Sequence, residues 1–197
     1  MIPARIFATS AITILLAACQ PAEDASPGEA ANEAAATESV AEYDAATFHM
    51  TTSFGMAASS GHAFSAETGH ILISSDETGV FNAYAVDPAS GDRVALTQSE
   101  SNATYAVSWF PEDDRVLVTA DNGGDELNHI FVRELDGRLT DLTPGDNVKA
   151  RFIGWSPDGQ DIWIATNERD QGAFDIYEYD TLSYESGFVF ENTDALQ

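Results

Sequence analysis

The sequence predicts an all-β protein made of β-propeller repeats, about three four-stranded blades behind a leader and a polar tether. Three observations predict it: a stretch that recurs every 45 to 46 residues, four short β-rich runs in each copy, and no helical periodicity beyond the tether. The recurring stretch is plainest in WFPEDDRVLVTADNGG at 109–124 and WSPDGQDIWIATNERD at 155–170, with a fainter copy, FSAETGHILISSDETG, at 64–79. A period in the forties with four strands per copy is the mark of propeller blades.

Residues 1–18 read as a secretory leader. One positive charge at Arg5 precedes an uncharged apolar run from Ile6 to Ala18, too short to span a bilayer as a helix. Leu16-Ala17-Ala18-Cys19 resembles the bacterial lipobox, in which the chain is cut before the cysteine and the thiol takes a diacylglycerol. Cys19 is the only cysteine, so it has no intramolecular disulfide partner. The alternative is an ordinary leader that leaves a free thiol. Gln20 stands where an aspartate would signal inner-membrane retention. The expected product is an exported bacterial lipoprotein on the periplasmic side of the envelope, at the outer membrane.

Residues 19–47 are rich in Ala, Glu, Asp, Ser and Pro and nearly devoid of large apolar side chains. Such a segment buries too little surface to offset chain entropy and reads as a flexible acidic tether. The remainder, 48–197, is one domain's worth of chain.

Within it the blades are expected at about 48–99, 103–145 and 149–192. Phe64, Trp109 and Trp155 fall in register, as do Asp76, Asp121 and Asn167, then Tyr84, Phe131 and Tyr177. Leu96-Thr97 matches Leu142-Thr143. The third copy gives its strands as ARFIGWS, DIWIATNE, FDIYEYD and GFVFEN; the second as YAVSWF, RVLVTAD, HIFVREL and LTDLT. The first is vaguer, with GHAFS expected as its opening strand, then HILISSD, NAYAV and VALTQ. Pro157-Asp158-Gly159 and Asp136-Gly137 supply turns. Ile162 with Ile164, and Val116 with Val118, alternate so that a blade face meets its neighbour. Propellers close with about four to eight blades, so three make an incomplete propeller, expected to be finished by further blades or by another partner.

Thirty-three acidic residues against eight basic ones give a net charge of −25, and loss of Arg5 with the leader makes it −26. That argues against nucleic acid as a partner, since binding its phosphates requires a basic surface. Solubility accounts for the charge; attraction of cationic peptides is the sharper alternative.

The runs SSDETGVFNAYAV, AVSWFPEDDRVLVTADNGGDELNHIFVRELDG, DLTPGDNVKARFIGWSPDG and ATNERDQGAFDIYEYD closely resemble the amino-terminal propeller of bacterial prolyl-oligopeptidase-family serine peptidases. Phrases such as WSPDG also occur in TolB-like propellers. The resemblance implies a propeller that sits over an α/β-hydrolase domain and restricts access to short peptides. It also implies that the catalytic serine, aspartate and histidine lie in that domain, so no catalytic residue and no autonomous activity are expected here. A TolB-like lipoprotein that binds envelope proteins without catalysis is the other reading.

Candidate chemistry within the chain is sparse. No serine has both glycines of G-x-S-x-G, and Ser156 in GWSPD is expected in a hairpin turn. His49, His62, His70 and His129 fall singly, so neither a metal nor a cofactor is expected. His129 reads as a hydrogen-bonded strand residue. The DNGGDE loop, with Asp125 and Glu126, offers carboxylates without calcium-loop spacing. Glu168 and Asp170, flanking Arg169, are candidate substrate contacts by the resemblance, since dipeptidyl-peptidase branches hold a peptide's amino terminus with propeller-loop acids. Asp125 and Glu126 join them as candidates.

Overall fold

A computed structural model describes residues 42–57 and 60–193. The leader, Cys19 and the tether as far as residue 41 lie outside the described residues. A single helical turn, α1 (Ala45–His49), opens the described chain, capped by Asp44, whose Oδ1 accepts from the Thr47 amide at 2.6 Å. It straddles the expected boundary at residue 47.

All else that is regular is strand. β1 (Phe54–Met56), β2 (Ile71–Ser75), β3 (Asn82–Val86) and β4 (Arg93–Ala95) form one antiparallel four-stranded sheet. β5 (Thr104–Trp109), β6 (Val116–Ala120), β7 (His129–Arg133) and β8 (Leu139–Asp141) form the second. β9 (Ala150–Trp155), β10 (Asp161–Asp170), β11 (Ala173–Asp180) and β12 (Ser186–Phe190) form the third. Each sheet keeps to chain order, the up-and-down meander of a propeller blade. The aromatic column is a true register column: Phe64 bridges Ile71, Trp109 pairs with Val116 and Trp155 with Ile162, seven residues on in every case.

Alternation along β6 explains why the middle blade is buried on both faces. Val116 and Val118 pack with Leu72, Ala83, Ala85, Ala106 and Trp109 toward blade 1. Leu117 packs with Val107, Ile130, Val132, Ile162 and Ile164 toward blade 3. Period-2 geometry sends neighbouring side chains to opposite sheet faces, and both faces here have a blade to meet. Burying each of these larger side chains contributes on the order of 1.5–3 kcal/mol. The outer sheets keep apolar residues in solvent, among them Phe54, Met56 and Val94 of blade 1 and Phe188, Val189 and Phe190 of blade 3.

The opening strand of blade 1 differs from expectation. It is Phe54–Met56, paired with Ile73–Ser75, rather than GHAFS, of which His62 and Phe64 make only isolated bridges. In blades 2 and 3 the first strand carries a register shift at Val107 and at Ile153. In blade 1 the pairing leaves β2 after Met56 and returns to it at Phe64, so a longer stretch of chain stands where the other blades have a one-residue bulge. Its returning limb lies on the edge of β5 opposite β6: the His62 amide donates to Ser108 Oγ at 2.8 Å and the Trp109 amide to the His62 carbonyl at 2.9 Å. Gly61 allows this approach, because a Cβ there would meet Ser108 Cβ at 2.7 Å and the Val107 carbonyl at 2.9 Å. Gly, Ala and Ser in this stretch show no apolar alternation, which is why the sequence placed the strand late.

Polar groups tie the blades together. Ser108, fully buried, accepts from His62 of blade 1 and from Trp155 Nε1 of blade 3 at 2.9 Å, and donates to the Trp109 carbonyl at 2.6 Å. Trp109 stands one blade earlier than Trp155, and its Nε1 is buried without a partner. The position matching Ser108 in blade 1 is Ala63, which offers no side-chain acceptor. Also between blades 2 and 3, Arg115 donates to the Thr181 carbonyl at 2.7 Å and Tyr184 Oη at 2.8 Å while its Nε and Nη2 hold Asp113. Its guanidinium lies 4.1 Å over the Phe110 ring.

Candidate functional site

Asp125 and Glu126 lie in the β6–β7 connection of blade 2, and Glu168 and Asp170 at the end of β10 in the β10–β11 hairpin of blade 3, at one end of the sheets. In the third strand of each blade, the residue two before the aromatic column of Tyr84, Phe131 and Tyr177 is a polar lock. In blade 1 Asn82 bonds to the Ser99 carbonyl and amide, at 2.9 and 2.7 Å. In blade 2 His129 Nδ1 meets Asp141 Oδ2 at 2.8 Å. In blade 3 Asp175, with no exposed surface, accepts the Asn192 amide at 2.8 Å. Each lock joins the third strand to the outer strand or the segment after it. His129 thus has a structural partner in the role expected of it. Ser156 likewise sits in the β9–β10 turn, donating to Asp158 Oδ1 at 2.7 Å and accepting the Asp161 amide at 2.9 Å.

The blade 2 loop, 121–128, is shaped by its own carboxylates. Asp125 Oδ1 accepts the Leu127 amide at 3.0 Å, and Asp121 Oδ2 accepts the Glu126 amide at 3.2 Å. The chain turns through positive φ at Gly123, Gly124 and Glu126, the last at 61°. Gly123 also donates to Asn102 Oδ1 at 3.1 Å, fixing the loop to the connection from blade 1. Asp125 and Glu126 are both exposed.

In blade 3 the hairpin is longer. β10 has 10 residues and β11 has 8, against 5 each for β6 and β7, so Glu168, Arg169 and Asp170 project beyond the other blades. Arg169 does not neutralise its two neighbours in sequence. It bonds both oxygens of Asp175, at 2.5 and 2.9 Å, and reaches Glu191 at 3.4 Å. The bidentate guanidinium holds the Asp175 carboxyl below the usual carboxylate range and raises Arg169 itself. Asp170 closes the turn by accepting the Gly172 amide at 2.9 Å. Burial, then the adjacent Glu168 carboxylate, pushes the Tyr177 hydroxyl upward, and Tyr179 is raised by burial first. Glu168 and Asp170 are exposed, and no hydrogen bond joins them to the Asp125–Glu126 pair.

The two loops present exposed carboxylates, whose charge attracts cations and ammonium groups, and neither loop places a nucleophile beside a base. Among the described residues no group of three or more His, Asp and Glu side chains is placed to hold a metal ion. Arg169's true partners, the Ser108 junction and the Arg115–Tyr184 clamp escape sequence reasoning because each joins residues of different strands or blades. The period itself was their one available signal: Ser108 and Trp155 stand 47 residues apart, one blade plus a step.

The three-sheet meander and its repeat decide the architecture. The fold is a TolB-like propeller. It is similar to the solved structure of a protein assigned as TolB from Agrobacterium tumefaciens, with a TM-score of 0.53 and 20% identity, over 66% of this chain and 45% of that one. TolB from Acinetobacter baumannii aligns with a TM-score of 0.49 and 22% identity, over 65% of this chain and 31% of that one. In sequence, 91 residues, 45% of the chain, are 34% identical to dipeptidyl aminopeptidase BIII of Pseudoxanthomonas mexicana. That match takes in 13% of the peptidase, so this TolB-like propeller chain spans less than half the length of each of these proteins. No family model matches the chain.

Proposed function

We propose that this chain is the substrate-gating propeller segment of a prolyl-oligopeptidase-like serine peptidase, exported and anchored through Cys19, with chemistry supplied by an α/β-hydrolase domain. The observation that carries this reading is the 34% identity to a dipeptidyl aminopeptidase on a chain folded as propeller blades. Neither acidic loop has a nucleophile, which suits a part that admits and orients peptides rather than cuts them. Glu168 and Asp170, projecting from the longest hairpin, are the residues proposed to meet a peptide's ammonium group, with Asp125 and Glu126 of the blade 2 loop as further candidates. An envelope location, at the outer membrane, is inferred from the leader and from Gln20 after the cysteine.

The test is the coding DNA downstream of Gln197, read in three frames. Further blades and then G-x-S-x-G, an aspartate and a histidine support the peptidase reading. A stop codon and then an unrelated gene sinks it. The second reading, a TolB-like lipoprotein that binds envelope proteins, is favoured by one observation, the exposed apolar run Phe188-Val189-Phe190 on the outer strand of blade 3. Capture of a defined envelope protein that is lost on Phe188→Ser and Phe190→Ser supports that alternative.

A further inference from the structure

We propose that the cleft between blades 1 and 2 binds a short extended peptide with free termini, its carboxylate held by Arg133. The cleft is about 650 Å³ in volume and lies between the Ala95–Ser99 segment of blade 1 and strands β7 and β8 of blade 2. That volume suits a ligand of a few residues.

Arg133 is the reason for assigning a carboxylate. The chain has 33 acidic residues and 8 basic ones, and among the described residues Arg133, Lys149 and Arg151 make no ion pair, whereas Arg93, Arg115, Arg138 and Arg169 each do; of the three, Arg133 is the one that lines this cleft. Its Nε is committed, donating to the Leu96 carbonyl at 3.2 Å across the blade gap. That bond fixes the guanidinium plane in the cleft wall. Nη2 lies by the β7–β8 turn, 3.8 Å from where a Cβ on Gly137 would stand. An oriented guanidinium with unspent donors, beside a polar and apolar wall, is suited to a carboxylate.

The far end of the cleft sets the other terminus. Asp121 lines it at the loop end, with one oxygen engaged by the Glu126 amide. β6 and β7 pair Ala120 with His129 and Val116 with Arg133, so the cation and the carboxylate sit at opposite ends of the strand pair. About five residue steps separate them, on the order of 16 Å, and side-chain reach from both ends shortens this to roughly four extended residues. Phe131 and Leu139 give the middle of the cleft its apolar surface, and Asn102 its amide. A net charge of −25 opposes an anionic ligand, whereas a zwitterionic peptide carries no net charge. This site is independent of the peptidase reading and stands if that reading falls.

The test is isothermal titration of the full chain with tetraalanine, its C-terminal amide and its N-acetyl form. Saturable binding of tetraalanine is expected, weakened about tenfold or more by amidation, by acetylation and in R133Q. The amide needs no protein variant, so a misfolded R133Q cannot mask the result. No saturable binding up to about 10 mM, or equal affinity for the amide, overturns the proposal. Equal affinity for the acetylated peptide removes Asp121 from the site and overturns the zwitterion assignment.

Discussion

Replacing Ser108 with alanine removes one oxygen that serves three blades. The hydroxyl accepts from the His62 amide at 2.8 Å and from Trp155 Nε1 at 2.9 Å, and donates to the Trp109 carbonyl at 2.6 Å. A hydrogen bond contributes about 0.5–1.5 kcal/mol net, and a buried donor left without a partner costs about 1–3 kcal/mol. His62 is exposed and Trp155 only partly buried, so water recovers some of the loss, and the expected total is about 2–3 kcal/mol. Urea unfolding monitored by tryptophan fluorescence gives that number, and amide exchange at His62 should accelerate in the same variant. A cycle with Trp155→Phe isolates the indole bond, for which a coupling of about 1 kcal/mol is expected. A total loss below about 0.5 kcal/mol, with unchanged exchange at His62, would refute the claim that Ser108 joins the blades.

The converse change should stabilise: Ala63→Ser places an acceptor where Trp109 Nε1 has none, for a gain of about 1 kcal/mol in the urea midpoint analysis. Leu117→Ala, at a fully buried position facing blade 3, should cost about 2–5 kcal/mol by thermal or urea unfolding. Asp175 is held below its ordinary carboxylate range by Arg169. A depressed folded value gives stability that is present above the unfolded pKa of about 3.9 and lost as pH falls through the folded value. Asp175→Asn should therefore flatten stability against pH below about pH 4, and acid titration at fixed urea measures it. Paired changes Glu168→Gln and Asp170→Asn should weaken peptide binding at the projecting hairpin; unchanged affinity in titration removes them from the site.

Much of the architecture is readable because it repeats. Trp109 and Trp155 each face a partner seven residues on, so one local rule written twice reveals a register. Blade 1 obeys the rule at Phe64 but hides its first strand, since residues 57–62 carry neither alternation nor bulk. The site was less legible. Arg169 stands between two acids in sequence, yet its charge goes to Asp175 and Glu191, because the β10–β11 pairing and the outer strand bring those groups closer. The His129–Asp141 lock and the orphan indole of Trp109 are likewise products of strand pairing, invisible to spacing alone.

The first strand of a blade in this protein has an elastic joint. One residue occupies it at Val107 and Ile153, a longer stretch separates Met56 from Phe64 in blade 1, and the chain resumes the same pairing after each. Length can therefore be added there without disturbing the alignment of the later strands. Val107 is packed inside, but Ile153 is 37% exposed, which makes blade 3 the place where a foreign segment could be spliced in. An epitope or reporter loop inserted at Ile153 would sit opposite nothing in its own sheet, much as Gly61 and His62 stand apart from theirs and grip the next blade instead.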